Sequence, residues 1–96
     1  LVRGKFENWS MIKRFSDLAW EEYLHFYNTD KTIIKKIHAL LNDIDRNGHE
    51  GIGKPEPLKY ELSGYWSRRI TPEHRLIYAI VDGEIHIAQV CGHYDD

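Results

Sequence analysis

The chain has 96 residues, 42% of them hydrophobic and 29% charged, which suits one domain with a modest core and no room for a second. Its longest unbroken apolar run, Leu76–Val81, is far too short to cross a bilayer, and its single cysteine, Cys91, excludes an intramolecular disulfide and fits a reducing cytoplasm. The formal net charge of −2 lacks the basic surplus usual in nucleic-acid binders, so any anion-binding surface has to be local.

Leu1–Ser10 (LVRGKFENWS) lacks the apolar segment of a secretory leader and reads as an N-terminal extension or an expression remnant. Met11 is then a candidate start, and residues 11–96 form the domain. Met11–Phe15 is apolar at alternate positions and precedes Ser16-Asp17, the pattern of a first strand ending at a helix cap. Trp20, Tyr23, Leu24 and Tyr27 follow at helical spacing and predict a helix over Asp17–Asn28 with those residues as its apolar stripe. Thr29-Asp30 interrupts it. Ile33, Ile37, Leu40, Leu41 and Ile44 predict a second helix over Lys31–Asn47, with Lys35, Lys36, Asn42 and Asp43 on the wet side and Gly48 closing it in the left-handed region. Two apolar stripes on an αα-hairpin need a sheet to cover.

Gly51–Pro57 (GIGKPEP) is expected to be irregular. Pro55 and Pro57 each fix φ, remove a donor and push the preceding residue toward extended geometry, so Glu56 sits in a stiff loop that aims its carboxylate. After Ser63-Gly64, strands are predicted over Tyr65–Ile70, His74–Val81 and from Glu84 to Val90 or beyond. Thr71–Glu73 forms the first turn and Asp82-Gly83 the second. The expected fold is α+β: a small antiparallel sheet in the order β-α-α-β-β-β with the αα-hairpin on one face.

The stretch Gly51–Tyr78 interleaves Lys54, Lys59, Arg68, Arg69, His74 and Arg75 with Tyr60, Tyr65, Trp66 and Tyr78. Cations among aromatics suit a phosphate backbone with unstacked bases, and Glu56 among them is a candidate base. Between Lys54 and Arg75, five Lys or Arg (54, 59, 68, 69, 75) meet three acids (56, 61, 73), so the local balance is basic. His93-Tyr94 adds an imidazole and a phenol, and the two pieces are expected to meet in a ribonuclease site. Register constrains this meeting. A two-residue Asp82-Gly83 turn would face Arg75 away from His93, so either a three-residue loop, Val81-Asp82-Gly83, or a bulge further along the hairpin is required. No paired Cys/His spacing supports zinc at Cys91, His93 and His74, and a metal site is rejected.

From Met11 to Tyr94 the chain resembles the YoeB toxins of bacterial toxin–antitoxin pairs, in the RelE/ParE superfamily. The resemblance rests on Trp20-Glu21-Glu22-Tyr23, Asp30-Lys31, Lys35-Lys36-Ile37, the GxGKPEPLK block of residues 51–59, Ser63-Gly64, the WSRRI block of residues 66–70, the HRLIY block of residues 74–78 and His93-Tyr94. It implies a RelE-like fold, no cofactor, and a ribonuclease that enters the A site of the 70S ribosome and cuts mRNA. The implied partners are a YefM-like antitoxin, operator DNA reached only through that antitoxin, and a second copy of the chain, with no membrane. Position by position, the base is similar to Glu56, the phosphate clamp to Arg75, the acid to His93 and the base-positioning aromatic to Tyr94, and Lys59 and Arg69 match basic positions near the scissile phosphate; Lys54 and Arg68 complete the expected RNA-binding set.

Those roles suit metal-free cleavage, in which a base takes the 2′-OH proton, a cation holds the charge on phosphorus and an acid protonates the leaving oxygen. Arg suits the clamp because its planar fork meets two phosphate oxygens at once. Without the resemblance, a Glu in a Pro loop and a near-terminal His read as solvated surface residues, and Tyr65, Trp66 and Tyr78 as core. Two other readings stand beside the nuclease: a non-enzymatic ParE-like toxin that acts by binding gyrase, which would not need Glu56 together with His93, and a module that chiefly binds antitoxin as a corepressor. Asp95-Asp96 follow the tyrosine and add negative charge near a phosphate site.

Overall fold

A computed structural model describes residues 10–92. In chain order the elements are β1 (Ile12–Phe15), α1 (Asp17–Thr29), α2 (Lys31–Asn47), β2 (Glu56–Pro57), a 3-10 turn (Tyr60–Leu62), β3 (Trp66–Arg69), β4 (Arg75–Val81) and β5 (Glu84–Gln89). One five-stranded sheet has the order β1-β5-β4-β3-β2. The α+β class and the αα-hairpin on one face are as expected. The sheet itself departs from expectation in two ways. It gains a fifth strand, β2, and it is mixed, because β1 runs parallel to β5 while every other pairing is antiparallel. Both helices and the other three strands separate β1 from β5 in the chain, so no tight turn, which joins only antiparallel strands, sets their relative direction. Among the described residues no helix is long and apolar enough to cross a membrane.

Helix ends follow the side chains that cap them. Ser16 Oγ accepts the Ala19 N–H at 3.0 Å, and Asp30 Oδ1 accepts those of Thr32 and Ile33, so each helix has a polar N-cap. Gly48, at φ 64°, ends α2 and donates its N–H to the Ile44 carbonyl. The expected stripe of α2 is buried, with Ile34 added to it. The expected stripe of α1 is only partly the core face: Tyr23 is half-buried against the core, Trp20, Leu24 and Tyr27 are exposed, and the fully buried residues are Ala19 and Phe26. Helical periodicity is the same for both sets, and a helix this rich in aromatics gives two candidate faces one residue apart. The outer aromatics make their own contacts. Trp20 stacks on Tyr23 at 5.5 Å, and the Lys31 ammonium lies 3.6 Å over the Tyr27 ring.

The hairpin joining β4 to β5 is a two-residue turn. Val81 pairs with Glu84, and Asp82 and Gly83 sit at φ 52° and 75°, the positive φ pair of a type I′ turn. The expected three-residue loop does not form. The alternative does: pairing shifts between Tyr78–Ile87 and Ile77–Gln89, so Ala88 is the extra residue of a bulge. Ser16 holds the bulge in place, its Oγ donating to the Ala88 carbonyl at 2.8 Å and its N–H to that of Ile87. His93 and Tyr94 lie outside the described residues.

Candidate functional site

The loop carrying Glu56 is anchored from below by Arg68. In β3, Arg68 and Trp66 point to the helix side while Ser67 and Arg69 point away. Arg68 is fully buried and is an internal anchor, which corrects its expected place in the RNA-binding set. Its Nη1 donates to Asp43 Oδ2 at 2.5 Å and to the Ile52 carbonyl, its Nη2 to the Gly48 and Glu50 carbonyls, and its Nε to Tyr78 Oη. All five guanidinium N–H groups are thereby used, and none is left for a phosphate. Asp43, expected on the wet side of α2, instead accepts from Arg68, the Ile52 N–H and Asn47. The Arg68 hydrogen bond, more than any other contact, holds the Asp43 carboxyl below the usual carboxylate range.

His49 completes this underside. Its ring stacks on Trp66 at 4.0 Å, and burial, with the Arg68 charge second, pushes its pKa below the usual histidine value. Two glycines let the loop lie close to these groups. A Cβ at Gly51 (φ 127°) would stand 1.9 Å from Asp43 Oδ2. One at Gly53 (φ 82°) would meet Leu40 Cδ2 at 2.7 Å and the Arg69 carbonyl oxygen at 3.3 Å. The Gly53 carbonyl accepts the Arg69 N–H at 2.7 Å, which ties the loop to β3 immediately before Lys54.

Glu56 then joins the sheet rather than an irregular loop. It pairs with Ser67, and the Leu58 N–H donates to the Tyr65 carbonyl. Pro57 is tolerated because β2 is the edge strand of the sheet among the described residues. Paired residues share a face, so the register places Glu56, Ser67 and Ile77 in one row and Arg69 and Arg75 in the next, all on the side away from the helices. Two inter-strand steps and one two-residue step put the Glu56 and Arg75 Cα atoms roughly 12 Å apart, close enough for both long side chains to meet one phosphate between them.

Beside this row lies a cleft of about 390 Å³ lined by Lys36, Lys54, Arg69 and Arg75, with no acidic residue among the described residues of its walls. Arg69 and Lys54 are exposed, and Arg75 is half-buried, with Nη1 donating to the carbonyls of Thr71, Pro72 and His74. Among the described residues no ion pair engages Glu56, Lys54, Lys59 or Arg69. Lys59 is exposed at the entry to the 3-10 turn, outside that cleft. Lys36 was not anticipated. Its signals are its place in the Lys35-Lys36-Ile37 block and its position beside Ile37, on the flank of the buried stripe of α2.

The chain reaches this region again at its C-terminal end. Arg75 donates its N–H to the Gly92 carbonyl at 2.9 Å, so the last described residue before His93 lies against β4 at Arg75. The His86 ring is half-buried and contacts Glu84 at 3.2 Å. Among the described residues no cluster of His, Cys, Asp or Glu could hold a metal ion.

Residues 15–94 match the family model described as a YoeB-like toxin of bacterial type II toxin–antitoxin systems. The chain is 54% identical over 80 residues to Toxin YoeB of Escherichia coli (strain K12), covering 83% of this chain and 95% of that protein, and 51% identical to Toxin YoeB of Synechocystis sp., covering 83% and 93%. Among solved structures, the YoeB dimer from Staphylococcus aureus superposes with a TM-score of 0.84 at 52% identity, covering 88% of this chain and 99% of that one. The YoeB–YefM complex from the same organism gives 0.83 at 52%, covering 88% and 98%. Likeness to Escherichia coli YafQ, at 18% identity and a TM-score of 0.72, is a likeness of fold alone.

Proposed function

The chain belongs to the family of YoeB-like toxins of bacterial type II toxin–antitoxin systems, and from that premise we propose that it is a metal-independent endoribonuclease that cuts mRNA in the ribosomal A site and so stops translation. The observation that supports this reading best is the alignment of Glu56, Arg69 and Arg75 on one sheet face, at the edge of a cleft lined by Lys36, Lys54, Arg69 and Arg75. A carboxylate fixed among cations is what proton abstraction next to a phosphate needs.

In the proposed reaction Glu56 takes the proton of the 2′-OH, whose oxygen attacks the adjacent phosphorus. Arg75, with Arg69 and Lys54 nearby and Lys59 along the RNA path, holds the charge that builds on the phosphoryl oxygens. The bond from phosphorus to the 5′-oxygen breaks, and His93 gives that oxygen its proton. The products are a 2′,3′-cyclic phosphate and a free 5′-OH. Tyr94 orients a splayed base at the cut. Each proton-transfer group is expected to contribute about 10²–10⁴-fold.

The proposed partners are the 70S ribosome and mRNA, a YefM-like antitoxin, a second copy of the chain, and operator DNA only through the antitoxin. The antitoxin and dimer extend to this chain what the Staphylococcus aureus YoeB structures contain. The cytoplasm is the proposed site of action. The chemistry is tested by placing a single 2′-deoxynucleotide at the mapped cut in ribosome-bound mRNA. Cleavage should stop there, and unmodified mRNA should yield a cyclic phosphate end. Cutting of the deoxy substrate would overturn 2′-OH attack.

A further inference from the structure

Beyond Gln89 the last strand loses its ladder, yet the backbone running into His93 is held at four successive groups. Glu22 Oε1, on α1, accepts the Val90 N–H at 2.8 Å and the Cys91 N–H at 3.2 Å. His74 Nδ1, from the turn before β4, accepts the Gly92 N–H at 2.8 Å, and the Gly92 carbonyl accepts the Arg75 N–H at 2.9 Å. Val90 is fully buried, so without Glu22 its N–H would be orphaned at a cost the fold does not otherwise need to bear. A carboxylate is the strong choice of acceptor here because the bond is charge-assisted and one oxygen can serve two donors.

His74 is built for the same task. Acceptance at Nδ1 fixes the ring as the Nε2–H tautomer, and Phe26 of α1 packs edge-on against the ring at 5.0 Å. Gly92 stands at φ 89°, where a side chain would be strained, so the chain turns sharply at the point where His74 grips it. The neighbouring residue is His93, and the neighbouring side chain on β4 is Arg75.

We propose that Glu22 and His74 are positioning residues that clamp the backbone of Val90, Cys91 and Gly92, and thereby hold in place the chain from which His93 follows. This rests on the nuclease reading for its functional consequence and on the hydrogen bonds alone for the clamp. Neither side chain touches substrate. They act by fixing the segment that delivers the acid, and a displacement of about 1 Å there costs on the order of 10²-fold in turnover.

The test uses four variants of the full chain, each checked for folding by its thermal midpoint. Glu22→Ala and His74→Phe remove an acceptor, the latter keeping an aromatic ring against Phe26. Glu22→Gln and His74→Asn retain an acceptor oxygen near the same place. Amide exchange measured residue by residue should show Val90 and Cys91 losing protection in Glu22→Ala, and Gly92 in His74→Phe, with protection restored in the two conservative variants. Single-turnover cleavage of ribosome-bound mRNA should fall about 10²-fold in the first pair, with ribosome binding unchanged, and recover in the second.

Unchanged exchange in Glu22→Ala and His74→Phe would overturn the clamp. Lost protection with an unchanged cleavage rate would overturn its role in placing His93. An unmodified protein that does not cleave would instead remove the nuclease reading, while the exchange experiment would still decide the clamp.

Discussion

Arg68 donates to Asp43 at 2.5 Å beneath the loop that carries Glu56, and the same guanidinium holds the carbonyls of Gly48, Glu50 and Ile52. One buried cation thus organises the path from the end of α2 to the candidate base. Breaking such a pair from the acid side strands the charge. Asp43→Ala is expected to cost about 3–5 kcal/mol in denaturant unfolding, and Asp43→Asn less, because a neutral acceptor remains. Equal stability of Asp43→Ala and the parent would show that the pair does not anchor the loop.

Acid should destabilise the protein in two steps. His49 has a lowered folded pKa through burial, and Asp43 has one through the Arg68 hydrogen bond. In both cases the unfolded chain binds its proton at the higher pH, so stability rises with pH across each window. Unfolding free energy should fall as pH drops below about 6.5, the unfolded histidine value, and fall again below about 3.9, the unfolded carboxylate value. In His49→Phe, which keeps an aromatic ring on Trp66, the first fall should disappear. An unaltered first step in that variant would assign it elsewhere.

Gly53 and Gly83 both have positive φ, yet only Gly53 is crowded. Gly83→Ala meets nothing within 4 Å and should lose about 1–2 kcal/mol from backbone strain alone. Gly53→Ala adds contacts with Leu40 and the Arg69 carbonyl and should lose more, about 2–3 kcal/mol. It should also slow cleavage, because Lys54 and Glu56 follow directly. Comparable losses for the two variants would mean that the loop can lift from β3 at no cost.

Much of this was legible in the chain. Ser16, Asp30 and Gly48 mark helix ends by chemistry that is local, and Asp82-Gly83 marks a hairpin for the same reason. The bulge followed from requiring two residues to share a face. What was not legible depends on which side of the sheet the helices cover. Alternation separates Arg68 from Arg69 but does not say which one is buried. The α1 stripe holds only at Tyr23, because Ala19 and Phe26 compete with the larger Trp20 and Tyr27 one residue away. β2 is two residues long and contains a proline, so its pairing comes from β3 and not from its own sequence. The parallel β1–β5 pair has no local signal.

Lys36, the cleft cation that periodicity left on a wet helix face, gives a binding prediction. If it contacts phosphate, Lys36→Ala should weaken binding of a single-stranded oligoribonucleotide of any sequence. The slope of log K against log salt should flatten by about 0.7 for the lost contact. An unchanged slope would remove Lys36 from the RNA path.

Translation-coupled cleavage decides whether this protein is a nuclease: purified antitoxin-free protein, ribosomes and mRNA, with cuts mapped by primer extension. Cuts at A-site codons are expected from the parent chain, with Glu56→Gln and His93→Gln each at least about 10²-fold slower at unchanged ribosome binding. No cuts from the folded parent, or cuts of normal rate from both variants, would contradict the nuclease account and leave a toxin that acts by binding alone.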